Sequence, residues 1–282
     1  NQTLPWRIWF MPIAIEQLIK MFDPRSVSAE CLHLIRAVPG ITREQILGAF
    51  AAVAQRHPLG FDLLLARYRE DRQAEQRARR AAVDRVCRSP HPPYGIAVCQ
   101  LAVTVALGRT LPAQQVVLAA LLRKHGPRAT LAAKQLADIQ RQQKGVEKAR
   151  VMLSEGDWRY RRNLAQHDAL VGRSVAIRRA LADWADAEAA RSPHCPRCRG
   201  SGQLLRPQPH CCDTCGGRGK ISVTAEHFRR SLADEGIVIM PERWRAEYQP
   251  WVNDTLSRLY QEMQLAGDAL SIRLMLEGQA VA

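Results

Sequence analysis

Cys195-Pro196-Arg197-Cys198-Arg199-Gly200-Ser201-Gly202 and Cys212-Asp213-Thr214-Cys215-Gly216-Gly217-Arg218-Gly219 carry one pattern, C-x-x-C-x-G-x-G, twice. A two-residue spacing lets one tight turn aim two sulfurs at a single point. Two such turns can close the tetrahedral four-thiolate shell that holds structural Zn²⁺. The glycines after each pair can adopt positive φ and leave turn amides pointing at the sulfurs. The repeat therefore predicts one zinc held by Cys195, Cys198, Cys212 and Cys215. Paired disulfides or a redox C-x-x-C are the rival chemistries, but no βαβ pattern surrounds these pairs. Cys211 breaks the repeat, so it and His210 rank behind Cys212 as ligands.

Working outward, Asp157 is placed to cap a long helix reaching about Arg191, with Trp184 expected to pack that helix onto the zinc module. After the second knuckle, Lys220–Val223 reads as a short β-like segment, expected to pair with Gln203–Leu205 in a zinc-ribbon hairpin. Thr224 caps a helix to Glu235, which Gly236 ends. Pro241 opens the next, where Trp244, Tyr248, Trp251 and Leu259 share a face and Pro250 predicts a kink or restart. Asp268–Gly278 reads as a further short helix.

Towards the start, Asn1–Pro12 holds Trp6, Trp9 and Phe10 and reads as an arm. Helices are expected over Ser28–Val38 and, behind a Thr42-x-x-Gln45 capping box, to about His57, with Ile46, Ala49, Phe50 and Val53 facing a core. This pair is a helix-turn-helix candidate, with Arg43, Gln45, Gln55 and Arg56 as base readers. Phe61–Arg88 reads as a long exposed basic helix, either salt-bridged or in contact with phosphate. Ser89-Pro90-His91-Pro92-Pro93 is a hard break. Tyr94–Leu107 is a buried helix, Leu111–His125 another, and Pro127 to about Leu153 a third. The last two form a second helix-turn-helix candidate carrying Arg128, Lys134, Arg141 and Lys144. The expected architecture is mainly α, with helical domains and one small Cys₄ zinc-ribbon insertion. Its divisions are a basic helical region over 1–90, a helical middle region over 91–191, a zinc ribbon over 192–223 and a C-terminal helical region over 224–282.

The chain has 282 residues, with 41 Lys and Arg against 27 Asp and Glu, a net charge of +14. That excess suits a polyanionic partner through phosphate contact and counterion release. Eight cysteines, four of them in the knuckles, suit a reducing cytosol in a chain this long. The apolar run Gly95–Gly108 is shorter than the roughly 20 residues a bilayer span needs, so a soluble protein without a membrane partner is expected. The start shows no secretory signal. Phosphate-binding, zinc-protease and nucleophile-elbow motifs are missing, and a shell of four thiolates leaves no open position for water. No enzyme is expected.

The order of a helix, CPRCRGSG, a linker, CDTCGGRGKISVTAEHFRRSL and PERWRAEYQPWVNDTLSRLYQEM resembles the lambda-type phage antitermination protein Q family, over roughly residues 165–264. The spacing between knuckles is shorter here, and the region before Ala165 is longer. The resemblance implies a DNA-binding regulator of bacteriophage late-gene expression. Such a protein loads on double-stranded DNA at a late promoter and engages paused, σ-containing bacterial RNA polymerase in the host cytoplasm. It then suppresses pausing and termination, with nascent RNA at the exit channel a further candidate partner. The residues available to DNA or polymerase are Arg218, Lys220, His227, Arg229, Arg230, Arg243 and Arg245. One alternative is a zinc-ribbon nucleic-acid-binding regulator that does not act on polymerase. Another is a chaperone fragment, since the repeat also resembles the cysteine-rich region of DnaJ-type chaperones. That family has four repeats and a His-Pro-Asp motif, against two repeats and His57-Pro58-Leu59 here.

Overall fold

A computed structural model describes residues 43–205 and 208–279. The N-terminal arm, the helix expected over Ser28–Val38 with Cys31, and Thr42 of the capping box lie outside the described residues. The protein is mainly α-helical. It divides into two compact units. A helical unit takes the described residues up to Gly108 and those from Leu232 onward, and a knuckle unit runs Arg109–Ser231. These units do not follow the linear divisions at 90, 191 and 223.

The helical unit holds the larger apolar core. Helix α1 (Arg43–Arg56) buries Ile46, Ala49, Phe50 and Val53, the stripe its 3.6-residue period requires. Helix α2 (Pro58–Tyr68) starts on a proline and buries nearly every position from Leu59 to Ala66. Phe50 meets Phe61 edge to face at 5.6 Å. Helix α3 (Arg72–Cys87) buries the ridge Ala74, Ala78, Ala82 and Val86.

The long exposed helix expected over Phe61–Arg88 is thus two helices. Glu70 breaks it at φ +55°, and Asp71 restarts it by accepting the Gln73 and Ala74 amides at 2.8 and 3.1 Å. A side-chain acceptor at the cap satisfies amides that have no partner inside the helix. Helix α4 (Gly95–Ala106) is buried as expected. The Ser89–Pro93 break connects α3 to α4 inside this unit, where the Pro93 carbonyl accepts the Tyr248 hydroxyl at 2.6 Å.

The C-terminal part of the unit begins with α9 (Pro241–Arg243), a π turn over Trp244–Tyr248 and α10 (Gln249–Gln279). The Gln249 amide reaches back five residues to the Trp244 carbonyl. A wider turn just before Pro250 eases the clash a proline ring makes with the carbonyl four residues earlier. No restart follows, and the tail expected as a separate helix from Asp268 continues α10. That helix buries Leu259, Met263, Ala266, Leu270 and Leu274. A methyl on Gly60 of α2 would lie 2.0 Å from the Glu262 carbonyl oxygen, so glycine is what lets α2 and α10 meet backbone to backbone.

The knuckle unit contains α5 (Pro112–His125), α6 (Pro127–Val151) and α7 (Trp158–Arg191). Asp157 caps α7, accepting the Arg159 amide at 2.8 Å. Ile139, Val146, Leu170 and Ile177 form the seam between α6 and α7. Trp184 packs mainly at the α5–α6 corner, not on the knuckles. A methyl on Gly126 would lie 2.8 Å from its ring, and Arg128 stands over it at 5.3 Å. The knuckle segment reaches that cluster through Ile221. Helix α8 (Ala225–Asp234) contains the boundary between units. Its end is a Schellman turn, with Gly236 at φ +83° and the Ile237 amide on the Leu232 carbonyl at 2.9 Å.

Candidate metal centre

The doubled pattern folds into two near-identical turns related by a local two-fold. Arg199 and Gly216 both sit at positive φ, +51° and +58°. In the first knuckle the Gly200 amide donates to the Cys195 carbonyl at 3.2 Å. Its counterpart in the second, Gly217 to Cys212, measures 3.1 Å. The turns are then tied crosswise, Cys195 amide to Gly219 carbonyl at 2.8 Å and Cys212 amide to Gly202 carbonyl at 2.9 Å. A methyl on Gly202 would lie 2.1 Å from the Gly217 carbonyl oxygen, and one on Gly219 would lie 2.2 Å from that of Gly200. Both glycines also hold positive φ, +76° and +70°. The last glycine of each G-x-G is therefore demanded by the other knuckle as well as by its own turn.

This frame brings the side chains of Cys195, Cys198, Cys212 and Cys215 together, with all four sulfurs within 4.8 Å of one another and buried. Cys195 stands 3.9 Å from Cys212, and Cys198 stands 3.7 Å from Cys215. A tetrahedral thiolate shell with metal–sulfur bonds of about 2.3 Å separates its sulfurs by about 3.8 Å. Disulfide sulfurs would stand about 2.05 Å apart. The four cysteines fit one metal ion.

Burial raises the Cys195 thiol to about 12. At Cys198 burial pushes the same way, but the Gly202 amide, the Cys215 sulfur and the Gly200 amide outweigh it and bring the thiol down to about 7. The Gly202 amide stands 3.3 Å from the Cys198 sulfur. Burial also raises Cys215. A cation at the centre reverses such burial penalties by favouring every thiolate. Cys211 is exposed and outside the cluster.

The expected ribbon hairpin has different partners. Strand β1 (Gln203–Leu204) pairs with β2 (His210–Cys211), placing Gln203 opposite Cys211 and Leu204 opposite His210. Lys220 bridges instead to His194. The cause is the closing of the module on its own entry, where the Ile221 amide donates to the Pro193 carbonyl at 2.8 Å. Gln203 is left to find the strand returning across the local linker.

Sequence reading overlooked the residues that seat the module. Arg197 of the first knuckle pairs with Asp213 of the second at 2.6 Å. Thr110, Gln114 and Ser231 are buried polar residues. The Thr110 hydroxyl donates to the Ala189 carbonyl at the end of α7 at 2.8 Å. The Gln114 amide group donates to the Ile221 carbonyl at 2.7 Å, and its oxygen accepts the Leu111 amide at 3.1 Å. The Ser231 hydroxyl accepts the Ala113 amide at 3.2 Å. Glutamine at the third helical position was the legible signal.

The seven candidate contact residues fall in both units. Arg218, Lys220, His227, Arg229 and Arg230 belong to the knuckle unit, and Arg243 and Arg245 to the helical unit. Arg229 and Arg230 both bind Glu226, at 2.7 and 2.8 Å, and Arg243 binds Glu247 at 3.0 Å. His227 is part of the α8 cap: its Nδ1 accepts the Thr224 amide at 3.1 Å, while the Thr224 hydroxyl accepts the His227 amide at 3.3 Å. Arg218, Lys220 and Arg245 are exposed. Among the described residues no helix is long and apolar enough to cross a membrane.

The family described as conserved hypothetical protein CHP02642 matches residues 12–279. The chain belongs to this family. The match runs through both units and both knuckles. No curated protein and no solved structure matches the chain.

Proposed function

We propose that this chain is a transcription antiterminator of bacteriophage late genes, of the antitermination protein Q type, built around one zinc. The observation that supports this most is the closed shell. Four buried thiolates fill every position of a tetrahedral ion and leave none for water, so the metal shapes the chain and does no chemistry. Cys195, Cys198, Cys212 and Cys215 hold the zinc, which supplies folding free energy where the module has little apolar core. It thereby fixes the end of α7 against the entry to α8. The two knuckles, the capped helix and the tryptophan-containing helix follow one another in the order expected of such a regulator, without the short strand expected between the second knuckle and that capped helix.

Function then lies in binding. The chain loads on duplex DNA at a late promoter, engages σ-containing polymerase at its early pause, and suppresses later pausing and termination in the bacterial cytoplasm. Arg218, Lys220 and Arg245, exposed and without a carboxylate partner among the described residues, are the better-placed cations of the original seven.

In vitro transcription tests this. The template carries a phage late promoter, its early pause and a downstream terminator, transcribed by σ-containing bacterial polymerase. Wild type should give readthrough that depends on the pause region, and Cys198→Ser should not. Binding to the DNA with termination unchanged would instead favour a zinc-ribbon regulator that does not act on polymerase.

A further inference from the structure

The chain's charge is unevenly placed. Residues 127–179, covering α6 and the first part of α7, hold twelve Lys and Arg against five Asp and Glu, half of the whole excess of +14. The other basic helix uses three of its five arginines internally. On α3, Arg77 binds Asp62 at 2.6 Å, Arg79 binds Glu75 at 2.9 Å and Arg85 binds Glu262 at 2.8 Å. On α6, Lys134, Lys144 and Lys148 are exposed, and among the described residues no carboxylate pairs with them. Arg141 shares its charge with the exposed Asp138.

These four residues also form a row. Helix α6 buries Ala129, Ala132, Ile139 and Val146. At 3.6 residues per turn, Lys134, Arg141, Lys144 and Lys148 lie within about 80° of one another on the opposite side. The row is about 21 Å long at 1.5 Å per residue. A straight, rigid line of cations suits anions that are themselves on a rigid frame. Duplex DNA carries one charge per about 1.7 Å of axis, and its major groove is about 12 Å wide. A row of this length reaches phosphates on both sides of one groove.

We propose that the Lys134–Lys148 face of α6 docks on the phosphate backbone of duplex DNA, positioning the chain without reading its sequence. This deepens the reading above, which requires DNA contact. The test contains no polymerase, so its failure is separable from a failure of antitermination. The full-length, metal-loaded chain and its triple variant Lys134→Gln, Lys144→Gln, Lys148→Gln are titrated onto short fluorescent duplexes of two unrelated sequences, from about 50 to 200 mM salt. The variant should bind both duplexes at least ten-fold more weakly. Its slope of log affinity against log salt should be shallower by about 2.7, or 0.9 per lost contact. The matching triple arginine variant should bind like wild type, which separates lost charge from a damaged helix. Unchanged duplex affinity and slope in the glutamine variant would overturn the proposal, as would weak binding by the arginine variant. So would an affinity loss confined to single-stranded RNA or to polyglutamate, which would assign the face to another partner.

Discussion

The helical unit and the cysteine knuckles solve the same problem in opposite ways. In the helical unit, α1 to α4 and α10 bury a continuous set of leucines, alanines and aromatics. Elsewhere in the same unit, the buried Trp244 and Tyr248 stack at 5.6 Å with their rings 6° from parallel. The knuckles bury four sulfurs and little else, with Leu204 and Ile221 only partly covered against them. A segment this short cannot bury enough apolar surface to offset its chain entropy, and in the proposed reading a structural metal takes the place of a core. The two regions should therefore fail separately and through different agents.

Removing a metal ligand is the largest perturbation this contrast allows. Structural zinc contributes about 10–16 kcal/mol of apparent binding free energy in zinc-finger peptides at neutral pH. Cys198→Ser, or a strong chelator, should therefore open residues 195–219 to protease while α1 to α4 and α10 keep their helical signal. Loss of the entire helical signal would show that the helical unit depends on the metal too. The converse experiment is Leu63→Ala or Trp244→Ala, each removing a fully buried side chain. Each should destabilise the helical unit by about 2–5 kcal/mol in denaturant unfolding while the metal content stays constant.

Gly202→Ala tests whether the knuckles brace one another. The left-handed conformation alone costs a side chain about 1–2 kcal/mol, and the Gly217 carbonyl blocks the new methyl. A metal competition assay should show weaker binding in Gly202→Ala and Gly219→Ala but normal binding in Gly216→Ala beyond the positive-φ penalty, since nothing stands near that position. Equal losses at all three would mean that φ alone sets the effect.

The smallest effect is a pH dependence at the α8 cap. Burial, with Arg230 nearby, holds the His227 imidazole below its usual pKa, and its Nδ1 must stay unprotonated to accept the Thr224 amide. A depressed folded-state pKa means that the unfolded chain binds the proton more readily. The contribution is therefore complete above the ordinary histidine value of about 6.5 and fades as pH falls below it. Thermal melts should show wild type losing stability over that window relative to His227→Gln, whose side chain can accept the same amide at any pH. Parallel profiles would remove His227 from the cap's energetics.

What the sequence made legible was local. The C-x-x-C spacing, the caps at Asp157 and Thr224, the Gly236 stop and the buried run from Gly95 each encode their geometry within a few residues, and the structure carries all of them. Pairings across the chain were not legible in that way. Lys220 bridges His194, and not the Gln203 strand, because the Ile221 amide is taken by Pro193, whose position depends on how α7 ends. The close approach at Gly60 is invisible until Glu262 arrives against it. The basic stretch before Arg88 looked like one solvated helix because charge masked the apolar run Leu63-Leu64-Leu65. Whether those arginines were free or paired depended on Asp62 and Glu262, one near and one far in sequence.

The central claim is that four thiolates close one zinc ion and so replace a core. Native mass spectrometry of the intact protein, purified without added metal and with thiols protected, tests it most directly. One zinc per chain, seen as a mass gain of one zinc less the two protons whose charge it replaces and released together with the knuckle fold on acidification, is the expected result. A metal-free mass lower by four hydrogens, the mark of two disulfides, would contradict the account.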